Sequence, residues 1–245
     1  MRAPTDAIAA PLFPRGGVWL NGPEQATISR GRPMLIEFFD FCLPHSMRTL
    51  PYVRAWHERY AADGLRVISV HSPGSPLAAD ASKARAAVAR LGLEHPVLLD
   101  QDLTLFGEYE NEGWPVRFLY DGRAVLFEYH YGEGAYGETE RAIQQLLGVE
   151  RKLLAPLRPE DAEGALLAPP SANREGAYSG PYEAGGVWGV FDGAGVVTVN
   201  GRRVDVPGPG AYPLVEHERH TAATLTLDAG GGVACVATCF VPGLI

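Results

Sequence analysis

The stretch Phe41-Cys42-Leu43-Pro44-His45-Ser46-Met47 joins an apolar run, MLIEFF, to a helical pattern, and places a thiol, an imidazole and a hydroxyl within five residues. A helix start presents unpaired N–H groups and the positive end of the helix dipole, so a thiol there is driven toward thiolate. In one reading Cys42 is a nucleophile, His45 activates it, and Ser46 donates a hydrogen bond to the thiolate or sulfenate. In the other, Cys42 is a small residue filling the strand end, in a site remodelled for binding or inert. Glu37 lies inside the apolar run, where a buried carboxylate must find a partner or hold its proton. The chain has three cysteines, and the other two, Cys235 and Cys239, are read as structural. On one extended strand they would face the same side, about 13 Å apart at roughly 3.3 Å per residue, beyond disulfide reach.

The elements that must position these groups alternate. Met34 to Phe39 reads as a buried strand, Arg48 to Ala62 as a helix with Leu50, Val53, Trp56 and Tyr60 on one side, and Leu65 to His71 as a second strand. Ser82 opens an Ala-rich helix that stops at Gly92; Pro96 to Leu99 is a third strand, and Leu103 to Tyr109 a short helix. Trp114-Pro115 introduces a hairpin, Val116 to Tyr120 and Ala124 to Tyr131 about the Asp121-Gly122 turn, and Glu138 to Leu147 closes the unit as a helix. This order predicts an α/β unit with a mixed central sheet flanked by helices.

On Gly31 to Trp56, on LRVISVHSP, on Gly113-Trp114-Pro115 and on HYGEGAYGETE, the first part resembles the thioredoxin superfamily, and most of all its TlpA-type redoxins, particularly the extracytoplasmic branch fused to membrane electron-transfer domains. The resemblance covers roughly residues 12 to 148 and implies a thioredoxin-like fold. In that family a C-x-x-C pair stands six and nine residues after a buried acid, with a helix proline five beyond the second cysteine. Counting from Glu37 puts those positions at Leu43 and Ser46, and Pro51 falls where the proline belongs. Both cysteines are missing, and Cys42 stands one residue early. Dithiol exchange needs a second sulfur to collapse the mixed disulfide, so an external thiol reductant would be required. The resemblance further implies that Glu37 moves protons for the thiol and that Trp114-Pro115 is a cis-proline loop facing the reactive position, so that Trp114 and Pro115 form the substrate wall; Leu43, and His71 from its place at the end of the second strand, are added as substrate contacts. For His71 the reading as a hydrogen-bonded structural histidine is preferred over that of a ligand contact.

Between Gly148 and Gly176 prolines and charges without clear periodicity read as a linker, placed at 151–175 between a first domain at 1–150 and a second at 176–245. The second changes character. Short strands at 187–191, 196–200, 203–206, 212–215, 221–227 and 233–240, separated by DGAG, NG, GPG and AGGG, predict a small all-β sandwich. It resembles the carbohydrate-binding-like domain that some of those redoxins carry. His217 and His220 fall on opposite faces of a strand with no third ligand evident, so no metal site is expected, and no cofactor is required.

With 21 Lys and Arg against 29 Asp and Glu, the net charge of −8 offers no basic field for nucleic acid. The opening MRAPTDAIAAPLFPRGG fits neither a signal peptide nor a membrane anchor, and the expected address is the cytoplasm, with no membrane partner. Exposed sheet edges in the second part are compatible with a homodimer. The functional expectation is a redoxin using the single thiol of Cys42 on a peroxide, a disulfide or an electrophilic small molecule. Its competitor is a noncatalytic protein whose altered cleft binds a ligand or protein.

Overall fold

The computed structural model describes residues 8–22 and 31–245. The chain divides into two compact units, one of Met1–Asp40 with His45–Ala155, the other of Phe41–Pro44 with Pro156–Ile245.

In the first unit β1 (Val18–Leu20), β2 (Met34–Phe39), β3 (Arg66–His71), β4 (Val97–Leu99), β5 (Val116–Tyr120) and β6 (Leu126–Tyr131) form one sheet in the order β1-β4-β3-β2-β5-β6. β2, β3 and β4 run parallel, and β1, β5 and β6 are antiparallel to their neighbours. Every residue of β2 is buried, as its apolar run demands of a central strand covered on both faces. Alternation then sorts its side chains. Met34, Ile36 and Phe38 enter a cluster with Ile68, Val70, Phe118 and Tyr109, while Leu35 joins Val67, Leu119, Trp56, Tyr60 and Ile143 on the other face. The helices are α1 (Pro44–Tyr60), α2 (Ala81–Leu91), α3 (Thr104–Glu108) and α4 (Tyr136–Leu147). Residues of α1 and α4 build the second cluster, and Tyr52 of α1 stacks on Tyr136 of α4 with ring centroids 3.7 Å apart.

α1 begins at Pro44 rather than at the expected Arg48, so His45 and Ser46 lie in its first turn. Proline suits the first helical position because its missing N–H would have no intrahelical partner there. Pro51 lies within the same helix. α2 starts as its sequence suggests, except that the cap is Asp80, whose carboxylate accepts the Ser82 and Lys83 N–H groups; Gly92 ends it in the left-handed conformation at φ 61°.

The second unit holds β7 (Leu167–Ala168), β8 (Arg174–Glu175), β9 (Gly180–Gly193), β10 (Gly195–Val199), β11 (Arg202–Val206), β12 (Gly210–Leu225), β13 (Leu227–Ala229), β14 (Val233–Val241) and β15 (Gly243–Leu244). They form a four-stranded sheet β12-β9-β14-β8, a three-stranded sheet β11-β10-β13 and the pair β15-β7. Phe191, Val197, Leu214, Leu225 and Phe240 lie at the centre of its apolar core. Asn200 and Gly201 both take positive φ, 49° and 79°, in the two-residue turn joining β10 to β11.

Two expectations for this unit are corrected. The segments 212–215 and 221–227 are not separate strands over their whole length: residues through Leu225 belong to the single β12, which is interrupted by register shifts at Pro213/Val215 and Glu216/Thr221. Cys235 and Cys239 do not share a face. A bulge between Cys235 and Ala237 adds one residue, so Val233, Cys235 and Phe240 pack in the core cluster and Cys239 is buried outside it.

Candidate functional site

Cys42 follows β2 by three residues and stands two before the first residue of α1, with 4% of its surface exposed. Leu43 is half-buried. The hydroxyl of Ser46, fully buried in the first turn, accepts the Asp40 backbone N–H at 3.1 Å and so ties the helix start to the strand end. Asp40 Oδ2 accepts the Gly74 N–H at 2.7 Å. A Cβ at Gly74 would stand 3.2 Å from the Trp114 indole and from that same carboxylate, so a side chain here would crowd both. The Trp114–Pro115 peptide bond is cis, and the indole stacks on Phe106 at 4.5 Å. Asp40, Ser46, Gly74 and Trp114 thus form one constellation at the end of the sheet where the parallel strands finish.

His45 is the exposed member of the first turn. Its Nδ1 lies 3.5 Å from Glu133 Oε2, and Arg48 Nε donates to Glu133 Oε1 at 2.7 Å. Glu133, from the loop between β6 and α4, therefore bridges two basic side chains on the start of α1. Sequence reasoning did not single it out, although it lies in the HYGEGAYGETE stretch.

Beneath the helix start, on the face covered by α1 and α4, lies a second group. Glu37 is fully buried, and its carboxyl is pushed up to about 8 by loss of hydration, against the attraction of Arg117 and a hydrogen bond from Ser69. Both partners come from strand register: Glu37 is paired with Ser69 on β3 and with Arg117 on β5. Ser69 Oγ donates to Glu37 Oε2 at 3.3 Å and sits 2.7 Å from His95 Nε2, while Glu37 Oε1 has no hydrogen bond among the described residues. Arg117 donates from Nη2 to the Gly134 carbonyl at 2.6 Å, and its guanidinium lies over the rings of Tyr136 and Trp56 at 5.1 and 5.8 Å. Burial lowers its pKa. His71 is fully buried at the end of β3, edge-on to Phe39 at 5.3 Å, and burial lowers it to about 4. Of these residues the sequence pointed to Glu37 and His71. The available signal for Ser69 and Arg117 was a polar residue interrupting each apolar strand, in RVISVH and VRFLY.

Chemically, the first constellation offers a helix N-terminus, a carboxylate and an aromatic wall beside a cis-proline. The second offers a carboxyl able to gain or lose a proton near neutrality. Leu43 and Ser46 leave no second sulfur at the helix start.

No family model matches the chain. Protein DipZ of Mycobacterium tuberculosis is 29% identical over 187 residues, which is 71% of this chain and 27% of that protein; the chain thus spans about a quarter of that relative's length. Thiol-disulfide oxidoreductase YkuV of Bacillus subtilis is 26% identical over 130 residues, 53% of this chain and 87% of its own. Among solved structures, a thioredoxin-like protein in its oxidized form superposes with a TM-score of 0.51 at 25% identity, covering 58% of this chain and 97% of that one.

Proposed function

From the thioredoxin-like fold of the first unit, we propose that this protein is a redoxin that works through one thiol, Cys42. The similarity to a thiol-disulfide oxidoreductase supports a redox role in general. The observation that carries the finer reading is the position of Cys42, directly ahead of the first turn of a helix that also contains Pro51, on a scaffold with a buried acid and a cis-proline. The Cys42 thiolate attacks one sulfur of a disulfide, forming a mixed disulfide and expelling the other sulfur as thiolate. An outside thiolate then attacks the substrate-derived sulfur of that mixed disulfide and releases Cys42 as thiolate, so the net reaction is disulfide exchange between two outside partners. Glu37 and His45 handle protons, and Trp114 and Pro115 form the wall for substrate; the expected contact from His71 is given up, because its ring is fully buried against Phe39. A peroxide or an electrophilic carbon would meet the same thiolate.

The low exposure of Cys42 favours a second reading, in which the site binds a ligand or protein without turnover. Reaction with iodoacetamide across pH separates the two. The redox reading expects alkylation of Cys42 in the folded protein with a midpoint well below the ordinary thiol value of about 8.5, and its loss in Cys42→Ser. A folded protein that is alkylated only on unfolding overturns it. Insulin reduction by dithiothreitol is expected to run at its background rate, because Leu43 and Ser46 cannot form a dithiol.

A further inference from the structure

Arg66 opens β3 and its N–H donates to the Pro33 carbonyl at 3.0 Å, so the register that pairs Arg66 with Met34 brings the bend before β2, which carries Arg32, alongside it. The two guanidinium groups are near enough to repel. Burial, and next the charge of Arg32, hold Arg66 below the usual arginine range. α1 runs back along the sheet and sets His57, in its last turn, at the same place. Arg32, His57 and Arg66 line a cavity of about 440 Å³ that opens to solvent, and Leu65, Val67 and Pro96 give it apolar surface. Its volume falls within the roughly 300–1,000 Å³ of small-molecule sites. In a chain of net charge −8, no carboxylate lines this cavity among the described residues.

We propose that this cavity binds a small organic anion, a carboxylate or phosphate head on an apolar body, with Arg32 and Arg66 holding the head and Leu65, Val67 and Pro96 packing the body. A guanidinium presents parallel N–H donors that match two oxygens of a carboxylate or phosphate. Two such charges around one hollow disfavour a cationic occupant, and an anion between them offsets their mutual repulsion. The arginines are not needed to cap the end of α1, where carbonyls attract cations. Those carbonyls already have donors: the His57, Tyr60 and Ala61 carbonyls accept the Ala61, Leu65 and Gly64 N–H groups, and the Arg59 carbonyl accepts from Arg151 at 2.7 Å.

The cavity is remote from the thiol. β2 and β3 begin beside it and finish toward Cys42, and His57 stands thirteen residues after Pro44, roughly 20 Å along α1 at 1.5 Å per residue. An anion held here touches neither Cys42 nor the Trp114–Pro115 wall, so binding stands or falls independently of the redox reading.

The test is an NMR titration of the nitrogen-15-labelled full chain with phenyl phosphate, benzoate and neutral benzyl alcohol, followed at the amide signals of Ala61, Leu65, Arg66 and Val67. Each probe is taken to about 10 mM, ten times the concentration that half-fills a millimolar site. At least one anion is expected to give saturable shifts that weaken as salt is raised, and benzyl alcohol none; the tighter anion identifies the head group. Arg32 is exposed, so Arg32→Gln leaves the fold alone, and it is expected to weaken anion binding about 10-fold, the scale of one hydrogen bond to a charged group. Arg66→Lys keeps the charge but loses the fork, and binding weakens there too. Arg123→Gln, which removes an exposed arginine from the turn between β5 and β6, leaves the affinity unchanged, as does Cys42→Ser. Binding of neither anion, equal binding of benzyl alcohol, or an affinity unaltered in both Arg32→Gln and Arg66→Lys overturns the proposal.

Discussion

The two units bury different kinds of side chain. The first encloses Glu37, Asp40, Arg48, Ser69, His71, His95, Asp100, Arg117, Glu128 and Glu140 behind its apolar clusters, whereas Thr238 is the one buried polar residue found among the described residues of 156–245. Burying a charge or an imidazole costs several kcal/mol unless it is partnered, so a fold carries such groups where they are compensated or used. The β unit draws its stability from strand pairing and from Phe191, Leu214 and Phe240; the α/β unit gives part of its stability up to hold ionisable groups in its interior. The difference directs the search for chemistry to the first unit, and it makes pH the variable that separates the two.

Glu37→Gln is the sharpest way to test that contrast. A carboxyl raised from 4.5 to about 8 holds its proton in the folded state, so its contribution is fully present below pH 4.5 and is lost as pH rises through 8. His71 and His95, lowered from 6.5 to about 4 and about 3, act in the opposite sense: the unfolded chain takes up their protons first, and stability is lost as pH falls below 6.5. Between 4.5 and 6.5 two histidines outweigh one carboxyl, so these three groups place the stability maximum of the first unit near pH 6.5. Urea denaturation at pH 9 is expected to find Glu37→Gln more stable than the parent by on the order of 4 kcal/mol, with the difference gone below pH 4.5. A pH-independent difference would mean that Glu37 titrates alike in the folded and unfolded chain, with Arg117 and Ser69 offsetting its burial.

The complementary change lies in the β unit. Leu214 is 1% exposed in its core, and Leu214→Ala is expected to cost about 3 kcal/mol by cavity formation, with no slope between pH 5 and 9. A pH-dependent loss would show that ionisable groups govern this unit as well and would remove the contrast.

Much of this was legible in the sequence, for reasons that vary by element. MLIEFF and RVISVH announce buried strands because nearly every side chain is apolar, and Trp114-Pro115 marks the entry to β5. β1 escaped notice because three residues paired along one edge carry no periodicity. The helix that opens at Pro44 was placed four residues late, at Arg48. The expected strand at 187–191 left out Gly185 and Gly186. They lie inside β9, and a Cβ on Gly185 would come within 2.3 Å of the Pro242 carbonyl, so glycine there permits close backbone approach. The surroundings of Glu37 were the least legible feature: Ser69 and Arg117 gain meaning from register, and His95 reaches Ser69 across 26 residues of sequence.

Ser46→Ala carries the smallest expected effect. The hydroxyl accepts the Asp40 N–H inside the protein, and its removal leaves that donor without this partner, at a cost of about 1 to 2 kcal/mol in urea denaturation. The change also asks what Ser46 does. If its hydroxyl only ties α1 to the end of β2, the pH profile of Cys42 alkylation keeps its midpoint while stability falls. If it also donates to the Cys42 sulfur, the midpoint moves up, because the thiolate loses a hydrogen bond that the thiol does not need. An unmoved midpoint together with unaltered stability would contradict the Asp40–Ser46 bond itself, and with it the attachment of the helix start to the central strand.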